Sequence, residues 1–303
     1  MVNPIAAVGS TVAALVVAGG TGVVIWYFFF RKKPKFTFTD PAVKIPLRIV
    51  DRQPASHDTI RLKLALPSTE HRPGIPVGKH VYFVARIEGQ TVVRPYTPVS
   101  LDTQKGYMDF VIKVYKANTN PNFPRGGKMS QYLMNIPRDQ YIDVRGPSGN
   151  LHYKGLGVFD IKPDEASPAQ KYTAKFVNMI CGGSGITPMF QLLSYILSDD
   201  KDMTRLSLVF ANNSEGDILL RDELDAYTTK FPNQLRVWYV VKEPPANWTY
   251  SSGYVTESVL SEHLYPPGNE TLVLLCGPAP MVEFACYPNL AKLNYARNRI
   301  FAY

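Results

Sequence analysis

The sequence predicts a two-domain, β plus α/β fold: an antiparallel β-barrel is followed by a doubly wound parallel sheet, and an N-terminal transmembrane helix precedes both. Three observations predict this arrangement. Residues 1–30 contain no charged side chain, residues from about 44 to 153 hold short strand-like runs between Gly- and Pro-rich turns, and strand-like and helix-like segments alternate from about residue 175. About 270 of the 303 residues follow the apolar segment, which is enough for two domains.

The N-terminal segment predicts a transmembrane signal anchor with a basic flank over residues 1–35. Residues 5–30 are almost wholly apolar or small, and this run exceeds the roughly 20 residues that span a bilayer. Trp26 and Tyr27 suit the membrane interface, and the basic residues 31–35 predict a cytosolic C-terminal side. The alternative is a buried helix of a soluble protein, which the absence of a polar face disfavours.

Charge, cysteine and histidine usage exclude several function classes. The formal net charge is +8, but residues 31–35 contribute four positive charges, so the rest of the chain is too weakly basic for nucleic acid. A mildly basic surface still suits an acidic protein partner. Cys181, Cys276 and Cys286 show no pairing pattern, and three thiols cannot hold an iron–sulfur cluster. The five histidines share no metal-ligand spacing, so no metal site is expected.

Residues 36–158 are predicted to form the antiparallel β-barrel. The clearest strand candidates are 59–66, 80–85 and 108–115. Several short strands at this spacing, separated by turns, are typical of such a barrel. One helix is expected at about residues 128–135, and the polar, Pro-containing residues 159–174 are expected to form a linker.

Residues 175–303 are predicted to form the parallel-sheet domain. Strands are expected at 176–181, 206–210, 236–241 and 271–276, and helices at 188–197, at 222–229 and from about 281. Alternation of this kind is typical of a doubly wound sheet, which binds its ligands at the carboxyl ends of the strands.

The segment Arg94-Pro95-Tyr96-Thr97 is the most informative motif in the predicted barrel. Arg can bind a diphosphate with two parallel hydrogen bonds, Tyr can lie against a flat ring, and Thr can reach the polar edge of that ring. This combination suits a flavin. The alternative is an ordinary strand with a buried Tyr and a surface Arg.

Three Gly-containing loops stand before predicted helices. Gly126-Gly127-Lys128-Met129-Ser130 can offer free backbone amides to a diphosphate, although a simple turn with a Ser cap is the competing interpretation. Residues 182–189 and 276–281 follow predicted strands, where glycine lets a dinucleotide approach the backbone. Neither loop has the G-x-G-x-x-G spacing.

Together these motifs resemble those of the NADH–cytochrome b5 reductases, in the ferredoxin-reductase superfamily of flavoproteins. The likeness extends from about residue 44 to the C-terminus. The matching segments are Arg94-Pro95-Tyr96-Thr97 with Ser100, residues 111–115, residues 126–133, Arg145-Gly146-Pro147-Ser148-Gly149, residues 182–189, and Cys276-Gly277-Pro278 with Pro280-Met281. Six motifs in the order of that family are specific when taken together.

The resemblance implies an FAD-binding barrel and an NAD-binding parallel-sheet domain, with roles for individual residues. The implied cofactor-binding residues are Arg94, Pro95, Tyr96, Thr97, Val111, Lys113, Tyr115, Phe123, Gly127, Lys128, Met129, Ser130, Gly182, Gly183, Thr187, Pro188, Cys276, Gly277, Pro278 and Met281. Within this set Arg94 is expected to bind FAD phosphate and Lys113 to receive NADH. Thr97, His80 and Cys276 are the implied catalytic residues. For His80, a barrel histidine satisfied by the backbone is an equally weighted alternative.

The resemblance also implies the reaction and its partners. NADH is expected to pass a hydride to FAD, and single electrons then go to cytochrome b5 in a transient electrostatic complex that supplies lipid- and sterol-modifying pathways. A monomer tethered to the bilayer of the endoplasmic reticulum or mitochondrial outer membrane is expected. Two alternatives are a related NAD(P)H flavin reductase with another haem-protein or quinone acceptor, and a silent membrane-tethered scaffold.

Two residues depart from the pattern of the family. Ser184 stands where Thr is frequent and keeps the hydroxyl. Lys242 occupies the region where acidic or amide residues meet the adenosine ribose, and a lysine can accept the 2′-phosphate of NADPH. NADPH use is therefore less strongly excluded than usual, although a surface pair between Lys242 and Glu243 is the favoured alternative.

Overall fold

The computed structural model describes residues 34–119, 121, 123–164 and 166–303. The predicted transmembrane helix lies outside this part of the chain. Among the described residues, no helix is long and apolar enough to cross a membrane.

The first lobe is an antiparallel sheet with one helix. Its elements are β1 Lys35–Phe36, β2 Ile45–Ser56, β3 Thr59–Ala65, β4 His71–Arg72, β5 His80–Ile87, β6 Gln90–Tyr96, β7 Tyr107–Lys113, α1 Lys128–Asn135 and β8 Tyr141–Ser148. Six strands form the sheet in the order β6-β5-β8-β2-β3-β7. In β3 the residues Ile60, Leu62 and Leu64 are buried and alternate with more exposed ones, so this side of the strand faces the apolar core. The predicted antiparallel domain is confirmed.

A small sheet connects the first lobe to the second. It contains β9 Leu151–Gly155, β10 Val158–Ile161 and β11 Gln170–Thr173, in the order β11-β10-β9. The segment predicted as a linker, residues 159–174, therefore contains most of β10 and all of β11. Phe159 and Ile161 alternate with Asp160 and are fully buried in the core of the second lobe. This alternation is too short to stand out in a polar segment.

The second lobe is a parallel sheet covered by helices. Its strands are β12 Phe176–Gly182, β13 Arg205–Ser214, β14 Leu235–Glu243, β15 Ser251–Ser252, β16 Thr271–Cys276 and β17 Ile300–Ala302. Its helices are α2 Ile186–Leu197, α3 Arg221–Lys230, α4 Glu257–His263, α5 Ala279–Met281 and α6 Tyr287–Lys292, with a π-helical turn at Val282–Cys286 and 3₁₀ turns at Gly183–Gly185, Glu215–Asp217 and Arg297–Arg299. The strand order β15-β14-β13-β12-β16-β17 confirms the doubly wound parallel sheet.

Two features of this arrangement position the site. The chain order reverses between β12 and β16, and the crevice at such a point is where open parallel sheets bind ligands. In addition, Val77, Val99 and Val111 of the first lobe pack in the same apolar core as Phe190 and Leu208 of the second. One core therefore extends through both lobes.

Candidate active site

Arg94 lies on β6 with an exposed guanidinium. Its Nη1 donates to the carbonyl oxygen of Val93 at 2.7 Å, and no carboxylate among the described residues pairs with it. β6 pairs with β5, with Arg94 opposite Phe83 and Tyr96 opposite Val81. The strand therefore presents a guanidinium with unused donors, the group that binds a diphosphate with two parallel hydrogen bonds.

Tyr96 ends β6 and Thr97 follows it directly, and both residues are half-buried. The Tyr96 ring packs against Phe83 with ring centroids 4.7 Å apart. Burial raises the pKa of Tyr96, although the nearby Arg94 charge opposes the shift, so the phenol stays protonated at neutral pH. Pro95 between Arg94 and Tyr96 is exposed.

The Gly126–Gly127 turn begins α1 beside Tyr115. Gly126 has φ of +62°, and a Cβ there would lie 2.3 Å from the Tyr115 carbonyl oxygen, so this position needs glycine. A Cβ at Gly127 would lie 2.5 Å from Ser130 Oγ and would displace that hydroxyl. Ser130 is buried; its Oγ accepts from the Tyr115 amide at 3.2 Å and donates to the Gly127 carbonyl at 3.1 Å. The two hydrogen bonds of Ser130 thus stabilise the turn. The backbone amides of the first turn of α1 remain available to bind a diphosphate.

The other predicted residues of this region differ in placement. Lys128 Nζ reaches the β5–β6 hairpin, 3.1 Å from Gln90 Oε1 and 3.4 Å from Glu88 Oε2. Met129 is buried in the core of the first lobe, whereas Phe123 is exposed. Met129 can therefore contribute through its backbone and Lys128 through its charge.

The glycine loop after β12 packs directly on the loop after β16. A Cβ at Gly185 would lie 2.1 Å from the Cys276 carbonyl oxygen, and one at Gly182 would lie 2.9 Å from Met281 Sδ. Gly183 has φ of +52° and no atom within 4 Å of a Cβ built on it, so its backbone borders open space. Thr187 Oγ1 donates to the Ser184 carbonyl at 3.2 Å and fixes the start of α2.

Cys276 ends β16 at the crevice. Burial raises the pKa of its thiol to about 11, so the sulfur is a neutral thiol at neutral pH. A neutral thiol is a poor nucleophile and suits a residue that contacts and positions a ligand. Gly277 and Pro278 follow, and a Cβ at Gly277 would lie 3.0 Å from the Gly182 amide nitrogen, so the two loops pack backbone against backbone here.

Lys113 is bound to two carboxylates. Its Nζ lies 2.7 Å from Asp58 Oδ2 in the first lobe and 3.2 Å from Asp217 Oδ1 in the second. Burial alone would lower the pKa of Lys113, but hydrogen bonds to Asp58 and Asp217 outweigh it and raise the pKa. The residue predicted to receive NADH is therefore also an ionic bridge between the lobes. His57 Nε2 lies 3.5 Å from Asp58 Oδ2 at the exposed edge of this bridge.

Val111 and Tyr115 flank Lys113 and face different surroundings. Val111 is buried in the core shared by the two lobes, so its side chain packs against protein. Tyr115 is exposed, and its Oη lies 3.5 Å from Ser184 Oγ on the glycine loop. Tyr115 thus brings the predicted FAD-binding lobe against the loop predicted to hold nicotinamide.

His80 begins β5 beside the Arg94 motif. Val81 pairs with Tyr96, so His80 and Thr97 are the next residues along the two strands. Burial, and secondly the charge of Lys79, lower the pKa of His80, which is therefore neutral at pH 7. His80 Nε2 is buried and has no hydrogen-bond partner among the described residues. A bound ligand or water can supply the missing partner.

These residues fit FAD and a nicotinamide dinucleotide. The first lobe offers an unused guanidinium, the free amides of α1 and an unpartnered imidazole nitrogen, while the second offers glycine backbone bordering open space at the reversal of strand order. Asp58 and Asp217 were missed by sequence reasoning, because Asp217 is 104 residues from Lys113 and no local pattern connects them.

Comparison with known proteins places the chain in a family. The model of the oxidoreductase FAD-binding domain matches residues 46–153, and that of the oxidoreductase NAD-binding domain matches residues 179–287. NADH-cytochrome b5 reductase 2 of Gallus gallus is 53% identical over 267 residues, covering 88% of each chain. The chain belongs to the NADH–cytochrome b5 reductase family. Human NADH-cytochrome b5 reductase 1 is 48% identical over 272 residues, covering 90% of this chain and 89% of the relative.

A solved structure supports the same conclusion. The cytochrome b5 reductase domain of Ulva prolifera nitrate reductase superimposes with a TM-score of 0.82 at 35% identity, covering 88% of this chain and 99% of that one. The predicted resemblance, the enzyme class and the cofactors FAD and NADH are confirmed. This NADH–cytochrome b5 reductase family member is an FAD-dependent oxidoreductase, and the roles of its individual residues stay predictions.

Proposed function

We propose that the chain takes electrons from NADH through FAD and passes them singly to cytochrome b5 while tethered to a membrane. The observation that carries this proposal is the meeting of the two cofactor lobes at the strand-order reversal, where Tyr115 Oη of the FAD-binding lobe lies 3.5 Å from Ser184 Oγ of the glycine loop. Two flat rings held on these lobes would lie next to each other in a shared crevice.

The residues of the chain bind and orient. Arg94 and the amides of α1 hold the FAD diphosphate, and Thr97 with His80 lies at the polar edge of the ring. Gly183 allows the coenzyme to approach the backbone, and Cys276 supports the nicotinamide with an uncharged thiol. The chemistry supplied by bound FAD is acceptance of two electrons together from NADH and their release one at a time. Orientation is the main contribution of the protein.

Two properties of the sequence support the proposed electron acceptor and the proposed membrane location: its charge and the composition of its N-terminal segment. The described part of the chain suits a transient electrostatic complex with an acidic haem protein. Residues 1–35 would anchor the chain in the endoplasmic reticulum or mitochondrial outer membrane, where confinement with cytochrome b5 raises their effective concentration. Lipid- and sterol-modifying pathways would use these electrons, and a monomer is sufficient for this role.

The test is anaerobic stopped-flow absorbance on the full chain in detergent micelles. The flavin-loaded protein is mixed with NADH and then with oxidised cytochrome b5. Fast flavin bleaching followed by haem reduction is the expected result. Fast bleaching with an unreduced haem would favour another haem-protein or quinone acceptor, and a protein that binds no flavin would favour the scaffold alternative. Flotation of the chain with liposomes, compared with residues 36–303, tests the anchor.

Replacing Cys276 with serine is expected to keep FAD bound and slow its reduction by NADH. The thiol is neutral at pH 7 and touches the coenzyme without covalent chemistry, so a smaller, more polar group shifts the nicotinamide and costs roughly 3- to 30-fold in rate. Flavin absorbance of the purified variant and stopped-flow reduction measure the two effects. Loss of the flavin spectrum would show that the Cys276 loop supports FAD instead.

Replacing Lys242 with aspartate is expected to shift coenzyme preference away from NADPH. Lys242 is exposed at the carboxyl end of β14, and neither Glu243 nor another carboxylate pairs with it among the described residues. β14 lies two strands from β12, about 10 Å away, within reach of the adenosine half of a dinucleotide held at the crevice.

The measurement is kcat/KM for NADPH relative to NADH. This ratio is expected to fall about fivefold or more in Lys242→Asp, which corresponds to about 1 kcal/mol for one exposed charge contact. Lys171→Asp on β11 makes the same change of charge on another exposed strand and should leave the ratio unchanged. An equal fall in both variants would point to overall charge instead of a 2′-phosphate contact.

A further inference from the structure

A buried glutamine joins the two lobes beside the active site. Gln191 lies in the middle of α2 with 4% of its surface exposed. Its Oε1 accepts from the Gly78 amide at 2.8 Å, and its Nε2 donates to the Lys79 carbonyl oxygen at 3.1 Å. One side chain of the second lobe thus forms two hydrogen bonds with consecutive residues of the first.

The turn that Gln191 holds lies close against β9. Gly78 has φ of +92°, and a Cβ there would lie 2.9 Å from the Leu151 carbonyl oxygen, so this close approach needs glycine. Lys79 Nζ donates to the Gly149 carbonyl oxygen at 2.6 Å, a second hydrogen bond that holds the turn. The next residue is His80, whose unpartnered Nε2 and place beside Thr97 put it at the FAD-binding side. A displacement of the turn would therefore move the flavin-facing residues.

The other end of the connection is the nicotinamide loop. α2 begins at Ile186, directly after the Gly183–Gly185 turn, and Thr187 lies in its first turn. Gln191 follows Thr187 by one helical turn, about 6 Å along the axis. Because a short helix segment is stiff, the position of Gln191 and the position of the glycine loop are fixed together.

The remaining contacts between these two regions are less directional. The Tyr115–Ser184 contact is long at 3.5 Å and exposed, and the Arg61–Glu223 pair at 3.1 Å is also exposed. The bond from Lys113 to Asp217 comes from an ammonium group, which can donate in several directions. The apolar contacts of Val77 and Val99 stabilise the interface but permit small sliding movements. The paired hydrogen bonds of Gln191 specify both distance and orientation.

We propose that Gln191 is a positioning residue that sets the distance and angle between the nicotinamide-binding loop and the flavin-binding turn. The inference rests on the proposed reaction and deepens it. Transfer between two rings depends steeply on their alignment, and a misplacement of about 1 Å can cost on the order of 100-fold in rate. Binding of NADH uses mainly contacts of the second lobe, with Lys113 as the one predicted contact from the first, and is expected to be less sensitive to this spacing.

The experiment compares Gln191→Met with a matched control on the full, flavin-loaded chain. Methionine keeps the length of the side chain and removes both hydrogen bonds. Gln234→Met is the control, because Gln234 Nε2 also donates to two carbonyl oxygens, those of Asp202 at 2.6 Å and Thr204 at 3.0 Å, but both lie within the second lobe. Gln191→Asn keeps a neutral amide but is one methylene shorter, so it cannot make both hydrogen bonds, and it serves where methionine prevents folding.

Two readouts separate positioning from general stability. Stopped-flow reduction across NADH concentrations gives the limiting rate and the apparent Kd; Gln191→Met is expected to lower the rate about tenfold or more and change the Kd less than about threefold. Titration of the oxidised protein with NAD⁺ gives a flavin difference spectrum that reports ring stacking, and its amplitude is expected to fall. Gln234→Met should lose thermal stability while keeping both signals.

Three results have distinct meanings. A limiting rate and difference spectrum in Gln191→Met within about twofold of the unmodified protein would overturn the inference. Equal losses in Gln191→Met and Gln234→Met would also overturn it, because general loosening would then explain them. Absence of flavin reduction by NADH in the unmodified protein would instead refute the proposed function, and the NAD⁺ difference spectra would still decide the role of Gln191.

Discussion

Replacing Arg94 with alanine is expected to weaken FAD binding so far that the purified protein loses its flavin. The Arg94 guanidinium is exposed, and its only hydrogen bond among the described residues goes to the carbonyl oxygen of Val93, so its remaining donors are available to phosphate. By analogy with truncated charge pairs, its loss would cost about 2–5 kcal/mol, or roughly 30- to 5,000-fold in the Kd for FAD. The flavin-to-protein absorbance ratio after gel filtration measures the effect, and titration of the apoprotein with FAD gives the Kd.

Two further variants make this result specific. Arg94→Lys keeps one charge but loses the planar fork, so an intermediate affinity is expected. Arg86→Ala removes another exposed arginine from β5 in the same hairpin and should bind FAD normally. Unchanged FAD affinity in Arg94→Ala would contradict the assignment, and equal losses in Arg94→Ala and Arg86→Ala would indicate a general effect of positive charge.

The architecture of both lobes followed from local patterns in the sequence. The predicted helix at residues 128–135 matches α1, and the predicted strand at 271–276 matches β16, because hydrophobic periodicity and flanking glycines act over a few residues. α2 begins two residues before the predicted start, since the 3₁₀ turn at Gly183–Gly185 leads directly into it. Element boundaries depend on such turns, which periodicity does not describe.

The contacts between the lobes could not be predicted in the same way. Gln191 bonds to a residue 113 positions away, and Lys113 bonds to Asp217 at a separation of 104. Both partners are ordinary polar residues without a local motif, and only the packing of the two lobes brings them together. The sequence motifs indicated which ligands the lobes bind. The hydrogen bonds that fix the position of one lobe relative to the other can be identified only from the three-dimensional structure.

Replacing Lys113 with methionine is expected to have the second large effect. The ammonium group lies between Asp58 and Asp217, whose side chains are 18% and 12% exposed. Its removal leaves these two carboxylates facing each other across the lobes, with only the exposed His57 imidazole near both, at 3.5 and 3.7 Å. A loss of about 2 kcal/mol in the free energy of unfolding is expected, less than the roughly 3–5 kcal/mol of fully buried pairs because these groups are partly solvated. Thermal or denaturant unfolding measures it.

The pH dependence of this loss has a defined sign. Burial opposes ionisation of Asp217, but hydrogen bonds from Ser214 and Lys113 outweigh it and lower the pKa of this carboxyl. A carboxyl with a lowered pKa stabilises the fold above its unfolded pKa, and that contribution disappears as the pH falls through the folded pKa. The difference in stability between the unmodified protein and Lys113→Met should therefore shrink below about pH 4.

A double variant separates the ionic bridge from a direct contact with NADH. In Lys113→Met/Asp217→Asn one carboxylate becomes a neutral amide, which relieves the repulsion. In the unmodified protein Asp217 Oδ2 accepts from Ser214 Oγ at 2.7 Å and from the Ser214 amide at 3.0 Å, and the amide oxygen of asparagine can still accept both bonds. Stability should recover, with Asp217→Asn alone as the control. Lys113→Met is also expected to raise the KM for NADH. If Lys113 contacts NADH directly, this KM remains high in the double variant although the stability of the fold is restored. If Lys113 only bridges the lobes, stability and KM recover together, because the interface between the lobes is then the only thing that the lysine supports.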